Sequence, residues 1–371
     1  MLGGETFMLR EDRFNGAIDL LRDNKLDAVF LAPSADLKYV TGLSLKPDSR
    51  LKGLVLSRQG GAFFLCPSLY RDDVQSVENT VPIEEWADGE GAPSAFFRGL
   101  KKLALTGPVT MAFSRGIEAG EMMDLVHGTE ITPKNGAYLL SPLRSVKSKE
   151  EQSLMRKASR MNDRMMEALT GYLTPGLRER DVVRFIMNFH ESHGGNPRIP
   201  CVACGENSAS PHYDGRANSV LAEQDMIMVD SGGWYDGYSH DMTRMFFLGP
   251  PTDEQRRIYE IVLEAQNTAE KHAITGAIPA DLDAIARGII RREGYGEAFC
   301  HRLGHGIGLD GHEMPYIAPD NRVPLQEGNC FSIEPGIYLR GMFGIRIENL
   351  VMLTSSGQEV LNLFPKEITV I

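Results

Sequence analysis

The feature that most restricts the fold of this chain is a repeat with a period of 104 residues. Ser148-Lys-Glu-Glu151 and Thr252-Asp-Glu-Gln255 both have the form of a capping box, in which a hydroxyl and an acid or amide side chain satisfy the free amides of a helix start. Behind them the apolar face Leu154, Ala158, Met161 and Met165 corresponds to Ile258, Val262, Ala265 and Ala269. Pro175 and Pro279 keep the spacing, each ahead of a second helical pattern. So do two acids: Asp230 closes the apolar run in MIMVDSG, and Glu334 closes that in CFSIEPG. A second acid follows each, Asp241 after 11 residues and Glu348 after 14. Repetition at this scale means a duplicated unit.

Each half reads as helix, proline turn, helix, histidine segment and acid-bearing strands. Two halves packed face to face bring four carboxylates together. Most of the 50 acids in the chain are ordinary solvated charges. Asp230 and Glu334 fit that description badly, because the residues before them are continuously apolar. A buried carboxylate must find a partner or take up a proton. Two divalent cations match the total charge of Asp230, Asp241, Glu334 and Glu348 with better geometry than arginines would.

The nitrogen donor comes from HRLGHGIGLDGHEMP, residues 301–315. His301 and His305 would share a helix face, but Gly304, Gly306 and Gly308 argue against a helix. Alternate glycines are expected to bring backbone close to a metal or substrate, which leaves His305 as the best-placed ligand. His312 is expected to face the same cavity from a second side, and His301 to be structural. In GIRIENL an extended strand shows Arg346 and Glu348 on one face and Ile345 and Ile347 on the other. Arg346 would orient a metal-binding carboxylate or meet one on the substrate. His212 precedes Asp230 much as His312 precedes Glu334.

The first part of the chain carries no such cluster. Phe14, Ala17, Ile18 and Leu21 keep helical spacing over 10–21, and AVFLA (28–32) reads as a buried strand. GLVLS (53–57) and AFFLC (62–66) flank Arg58-Gln59-Gly60-Gly61 as a hairpin, and VTMAF (109–113) is another strand. This α/β domain is expected to end near Leu140-Ser-Pro-Leu143.

Composition excludes several functions. The N-terminal MLGGETFMLREDRF is too charged for a secretory signal, no apolar run reaches membrane-spanning length, and five sparse cysteines suit a reduced, cytoplasmic protein. A net charge of −11 argues against a nucleic-acid partner. Cys201-Val-Ala-Cys204 lacks the further ligands of a zinc site and reads as buried strand. GHGIGL does not complete a dinucleotide fingerprint, and Met161, Met165 and Met166 read as helix packing.

PHY (211–213), VDSG (229–232), GYSHDMTR (237–244), GHGIGLDGHE (304–313), SIEPGIY (332–338) and GIRIEN (344–349) resemble, in order and type, the signature segments of the metallopeptidases that include prolidase, aminopeptidase P and methionine aminopeptidase. His240 before Asp241 and the spelling Asp310-Gly311-His312 depart from the commonest forms. The resemblance implies an α/β N-terminal domain over 1–145 followed by an α+β catalytic domain over 146–371 of the creatinase/aminopeptidase-like "pita-bread" fold, with internal duplication. It carries metal binding onto Asp230, Asp241, His305, Glu334 and Glu348, and catalytic or substrate roles onto His212, His312, Glu334 and Arg346. A separate N-terminal domain favours the Xaa-Pro branch over methionine-type aminopeptidases, and the intact ligand set argues against creatinase-like chemistry and against a non-catalytic binding module. Another metal-dependent hydrolase or lyase on the same scaffold, or a methionine-type aminopeptidase, is the remaining alternative. The implied cofactor is a pair of divalent ions, Mn²⁺ ahead of Co²⁺, Fe²⁺ or Zn²⁺ because oxygen donors dominate. The implied partners are short peptides with proline second, and a second copy of the chain in a homodimer.

Overall fold

A computed structural model describes residues 11–78 and 80–371. Contacts divide the chain into two compact units, 1–144 and 145–371. The signal-peptide reading and Arg10 fall outside the described residues.

In the first unit the helix Glu11–Asp23 buries Ala17, Ile18 and Leu21. Strand Ala28–Leu31 is buried throughout. Gly53–Ser57 and Ala62–Pro67 pair antiparallel across the expected hairpin, and Val109–Phe113 runs parallel to Ala28–Leu31. These strands join Ile83–Trp86 and Ile131–Asn135 in one six-stranded mixed sheet. Its core sets Phe30, Phe63, Phe96 and Phe113 among aliphatic side chains such as Val55, Leu65 and Leu100.

The second unit carries the duplication. Ser148 Oγ accepts the Glu151 amide at 3.2 Å while Glu151 Oε2 accepts the Ser148 amide at 2.8 Å, so the box closes both ways at the start of helix Lys149–Thr170. Thr252 and Gln255 repeat it at 3.2 and 2.9 Å for helix Asp253–His272. Ala158, Met161 and Met165 are buried along the first helix, and Ile258, Val262, Ala265 and Ala269 along the second. Leu154 is half-buried.

The second helix of each half is displaced from the expected register. Pro279 opens helix Pro279–Arg292, where a missing N–H is harmless, whereas Pro175 lies ahead of helix Glu179–Ser192. The equivalent positions are Gly176 and Gly276, at φ +95° and +88°. Their amides donate to the Leu221 and Leu325 carbonyls at 2.8 and 2.7 Å, and the Leu221 and Leu325 amides donate back to Leu177 and Ala277 at 2.8 and 2.9 Å. The prolines thus share a spacing without sharing a place, and the period of 104 resumes at Leu221 and Leu325.

Two five-stranded sheets follow the helix pairs. One orders Thr369–Val370, Tyr238–Phe247, Met226–Tyr235 and Asn196–Pro197, with Cys201–Cys204 also paired to Met226–Tyr235. The other orders Glu313–Ile317, Gly304–Gly306, Cys330–Ile333, Asn349–Thr354 and Gly357–Val360. Gly336–Leu339 and Phe343–Arg346 form a separate ribbon. Cys201 and Cys204 are free thiols on a strand.

The glycines of 304–308 serve this packing. A Cβ on Gly304 would collide with the Ser332 carbonyl, one on Gly306 with the carbonyl of Met314, and one on Gly308 with Glu313 Oε1 at 2.5 Å. Neighbouring strands come so close that side chains are excluded there.

Candidate metal centre

A cavity of about 860 Å³ opens in the second unit, and His212, Asp230, Asp241, His305, His312, Glu334, Arg346 and Glu348 all line it. The two aspartates come from the hairpin of Met226–Tyr235 and Tyr238–Phe247, whose register sets Asp230 opposite Thr243 and Asp241 opposite Gly232. Side chains alternate along a strand, so Asp230, Asp241 and Thr243 share a face. The glutamates come from a ladder's end: Ile333 pairs with Asn349, and Glu334 and Glu348 are the next residues beyond. Ile345 and Ile347 are fully buried in the opposite direction.

One ligand atom each from Asp230, Asp241 and Glu348 lie within 4.8 Å of one another; so do His305, Glu334 and Glu348, and Asp241, His305 and His312. Glu348 belongs to the first two groups and could join two ions. His305 is 3 % exposed. Its Nδ1 donates to the Gly306 carbonyl at 3.0 Å, since a carbonyl only accepts. That contact leaves the lone pair on Nε2, which sits 3.4 Å from Glu334 Oε1.

A second layer aims these groups. Arg346 Nε donates to Thr243 Oγ1 at 3.0 Å, and the Thr243 hydroxyl donates to Glu348 Oε2 at 2.8 Å. Arg346 Nη1 donates to the Pro211 carbonyl at 3.1 Å and to the Tyr338 hydroxyl at 3.0 Å, and Nη2 to Asp230 Oδ2 at 2.7 Å. Four of its five N–H groups therefore meet protein atoms. Ser332 Oγ donates to Glu334 Oε1 at 3.0 Å and accepts the His305 amide at 2.9 Å.

The electrostatics are those of too much negative charge in too little water. Burial pushes the Asp241 carboxyl up to about 8 against the pull of Arg198, with Asp230 and Glu334 adding to the rise. Burial lifts Glu334 to about 7, and burial with three neighbouring acids lifts Glu348 well above the carboxylate range. For Asp230 burial also pushes upward, but Arg346 and Arg198 outweigh it and hold the group low. Burial pushes His305 down to about 3, so it is a neutral donor. Asp230 Oδ1 and Glu348 Oε1 are buried and accept no hydrogen bond from any described residue. Crowded carboxylates with free lone pairs beside a neutral imidazole fit hard or borderline divalent cations.

Residues 153–355 match metallopeptidase family M24. The chain belongs to metallopeptidase family M24. As in that family, divalent metal ions are its cofactor class. Residues 13–146 match the creatinase/prolidase N-terminal domain, so the fold is the duplicated pita-bread type behind an α/β domain. Among similar proteins, an uncharacterised peptidase of Staphylococcus aureus is 34 % identical over 353 residues, 94 % of this chain and 98 % of the relative. A dipeptidase from Pyrococcus horikoshii OT3 superposes with a TM-score of 0.91 at 34 % identity, covering 97 % of this chain and 100 % of the other. A prolidase from Thermococcus sibiricus superposes with a TM-score of 0.92 at 31 % identity, covering 99 % and 100 %.

Within this M24 cavity, His212 and His312 are exposed, and the His312 ring lies 3.8 Å from that of His305. His301, read as structural, also lines the cavity, but both of its nitrogens face protein. Nδ1 donates to the Arg302 carbonyl at 2.8 Å and Nε2 accepts the Tyr338 hydroxyl at 3.0 Å. Sequence reasoning overlooked Arg198, whose Nη2 lies 3.2 and 3.1 Å from the two Asp241 oxygens. It sits in Pro197-Arg-Ile-Pro200, where no periodicity marks a face. Thr243 and Ser332 stood inside recognised segments, and only the fold reveals that their hydroxyls aim ligands.

Proposed function

We propose that this M24 metallopeptidase is an Xaa-Pro peptidase, hydrolysing the bond before a proline in second position of dipeptides or short peptides. Two divalent ions, manganese foremost, are held by Asp230, Asp241, His305, Glu334 and Glu348. The observation that carries the reading is the pair of ligand groups within 4.8 Å that share Glu348. Its choice of substrate is supported by the likeness to a dipeptidase and a prolidase over essentially the whole chain.

Divalent ions in such a site supply Lewis acidity toward the scissile carbonyl and acidify water near neutral pH. Glu334 takes up the proton released as water attacks and delivers it to the leaving nitrogen. That delivery is required, because a proline nitrogen inside a peptide carries no hydrogen. His212 and His312, on exposed ground at the cavity, position the peptide and stabilise the developing oxyanion. Arg346 acts on Asp230 and not on the substrate, since it is 2 % exposed and bonded on four sides. The substrate's α-amino group meets the acidic cluster, which confines cleavage to the first bond.

The proposal extends to a cytoplasmic homodimer. Five free cysteines support a reducing compartment, and no helix among the described residues is long and apolar enough to cross a membrane. The dimer rests on family resemblance.

The test is a panel of an Xaa-Pro dipeptide, an Xaa-Pro-Yaa tripeptide and a methionyl peptide with added Mn²⁺. Cleavage of one or both proline substrates and not of the methionyl peptide is expected. Cleavage of the methionyl peptide alone, or of none, would overturn the assignment.

A further inference from the structure

Two guanidiniums reach the four carboxylates, and they are held very differently. The Arg346 side chain is 3 % exposed, and three of its four hydrogen bonds go to groups that are not acids. It stays in place whatever the carboxylates bind. The Arg198 side chain is 38 % exposed. Its backbone is fixed, the amide donating to the Gly232 carbonyl at 2.9 Å next to the paired Asn196–Pro197. Among the described residues its side chain, by contrast, hydrogen-bonds only to Asp241, at 3.2 and 3.1 Å, and lies 3.5 Å from Asp230 Oδ1. A Cβ on Gly232 would lie 2.8 Å from both Arg198 Nη2 and Asp241 Oδ1, so the bare glycine gives the guanidinium its seat.

Asp230 and Asp241 are also two of the three acids whose oxygens gather within 4.8 Å around Glu348. The guanidinium and a cation therefore address the same two carboxylates from the same cavity. With all four carboxylates deprotonated, as metal ligands must be, they and the two guanidiniums leave a net charge of about −2, which one divalent ion neutralises. A second ion brings surplus positive charge, and of the two guanidiniums paired with these carboxylates Arg198 is the one with solvent to move into.

We infer that Arg198 is a built-in competitor of the cation held by Asp230, Asp241 and Glu348, displaced toward the cavity mouth when that cation binds. The residue thus sets how much free metal is needed to complete the centre. The inference rests on the proposed ligand set. It predicts the opposite sign from an arginine that merely orients a ligand: removing an orienting partner weakens metal binding by about 10–100-fold, whereas removing a competitor strengthens it.

The experiment is a titration of the metal-stripped, full-length protein with Mn²⁺, free ion being followed by its electron paramagnetic resonance signal. Wild type is compared with Arg198→Gln and Arg198→Lys, each checked for an unchanged fold by circular dichroism. For R198Q the weaker Mn²⁺ constant is expected to tighten at least tenfold with two ions still bound, and R198K, which keeps the charge, to stay within threefold of wild type. Unchanged or weakened Mn²⁺ binding in R198Q, or tightening as large in R198K, overturns the competition. If wild type binds no Mn²⁺ at all, the ligand set itself falls and takes the inference with it.

Discussion

The two halves of the catalytic unit begin alike and deliver their acids differently. In the first half Asp230 and Asp241 stand within two ten-residue strands paired residue for residue from Tyr238–Tyr235 to Phe247–Met226. In the second half the corresponding stretch is cut into Cys330–Ile333, Gly336–Leu339, Phe343–Arg346 and Asn349–Thr354, and Glu334 and Glu348 lie at the cuts. Pro335, with no N–H to donate, stands beside one of them. Aspartates suffice where an intact ladder carries the backbone to the centre. Where the ladder stops, the longer glutamates reach in. The halves are stitched by single residues: the Glu348 amide donates to the Thr243 carbonyl at 3.2 Å, and Arg244 Nη1 donates to the Glu348 carbonyl.

If both halves contribute equally to one centre, Asp241→Ala and Glu334→Ala should fail alike. Each is expected to lose metal by elemental analysis and to lower kcat/KM by well over the roughly 100-fold that outer-shell changes cause. Full activity in either variant would remove that half from the chemistry. The stitch should come next in size. Arg244 is 1 % exposed and bonded to the carbonyls of Thr243, Glu348, Phe364 and Pro365 and to Asn349 Oδ1. Arg244→Ala strands these buried acceptors and is expected to cost about 3–5 kcal/mol in urea unfolding. Thr243→Val removes only the hydroxyl between Arg346 and Glu348, and should weaken metal binding by about 10–100-fold, with Thr243→Ser restoring it.

The pH dependence has a defined sign. In the metal-free protein Asp241 and Glu334 are raised to about 8 and about 7, above ordinary values of about 3.9 and 4.3. Above about pH 7, past the range where histidines held low by burial, His305 among them, give the opposite slope, the folded state holds more protons than the unfolded one, so the Tm of stripped protein should fall as pH rises from about 7 to about 9. Saturating Mn²⁺ should reverse the trend, because ligands bind metal deprotonated. A flat profile for stripped protein would mean that the acids do not crowd. The smallest effect compares the two helix starts. Ser148→Ala and Thr252→Ala are each expected to cost about 1 kcal/mol, and a large inequality would break the equivalence of the two caps.

What the sequence made legible follows from how local each signal is. Capping boxes and apolar helix faces are set within a few residues, and both caps and nearly all of the face residues lie in the structure as expected. The acids at the ends of apolar runs were legible because burial of a charge demands an explanation, and all four line one cavity. The Pro175–Pro279 match misled because a spacing counts residues and cannot register compensating changes in loop length. The alternate glycines signalled close approach without naming its cause, and only tertiary structure identifies Ser332 and Met314 as the neighbours. Arg198 was invisible for the same reason, since its partner Asp241 is 43 positions away along the chain.

Anomalous diffraction at the manganese edge from crystals grown with Mn²⁺ tests the centre most directly. Two peaks are expected, one among Asp230, Asp241 and Glu348 and one among His305, Glu334 and Glu348. No peak in the cavity, or ions bound only elsewhere, would contradict the account.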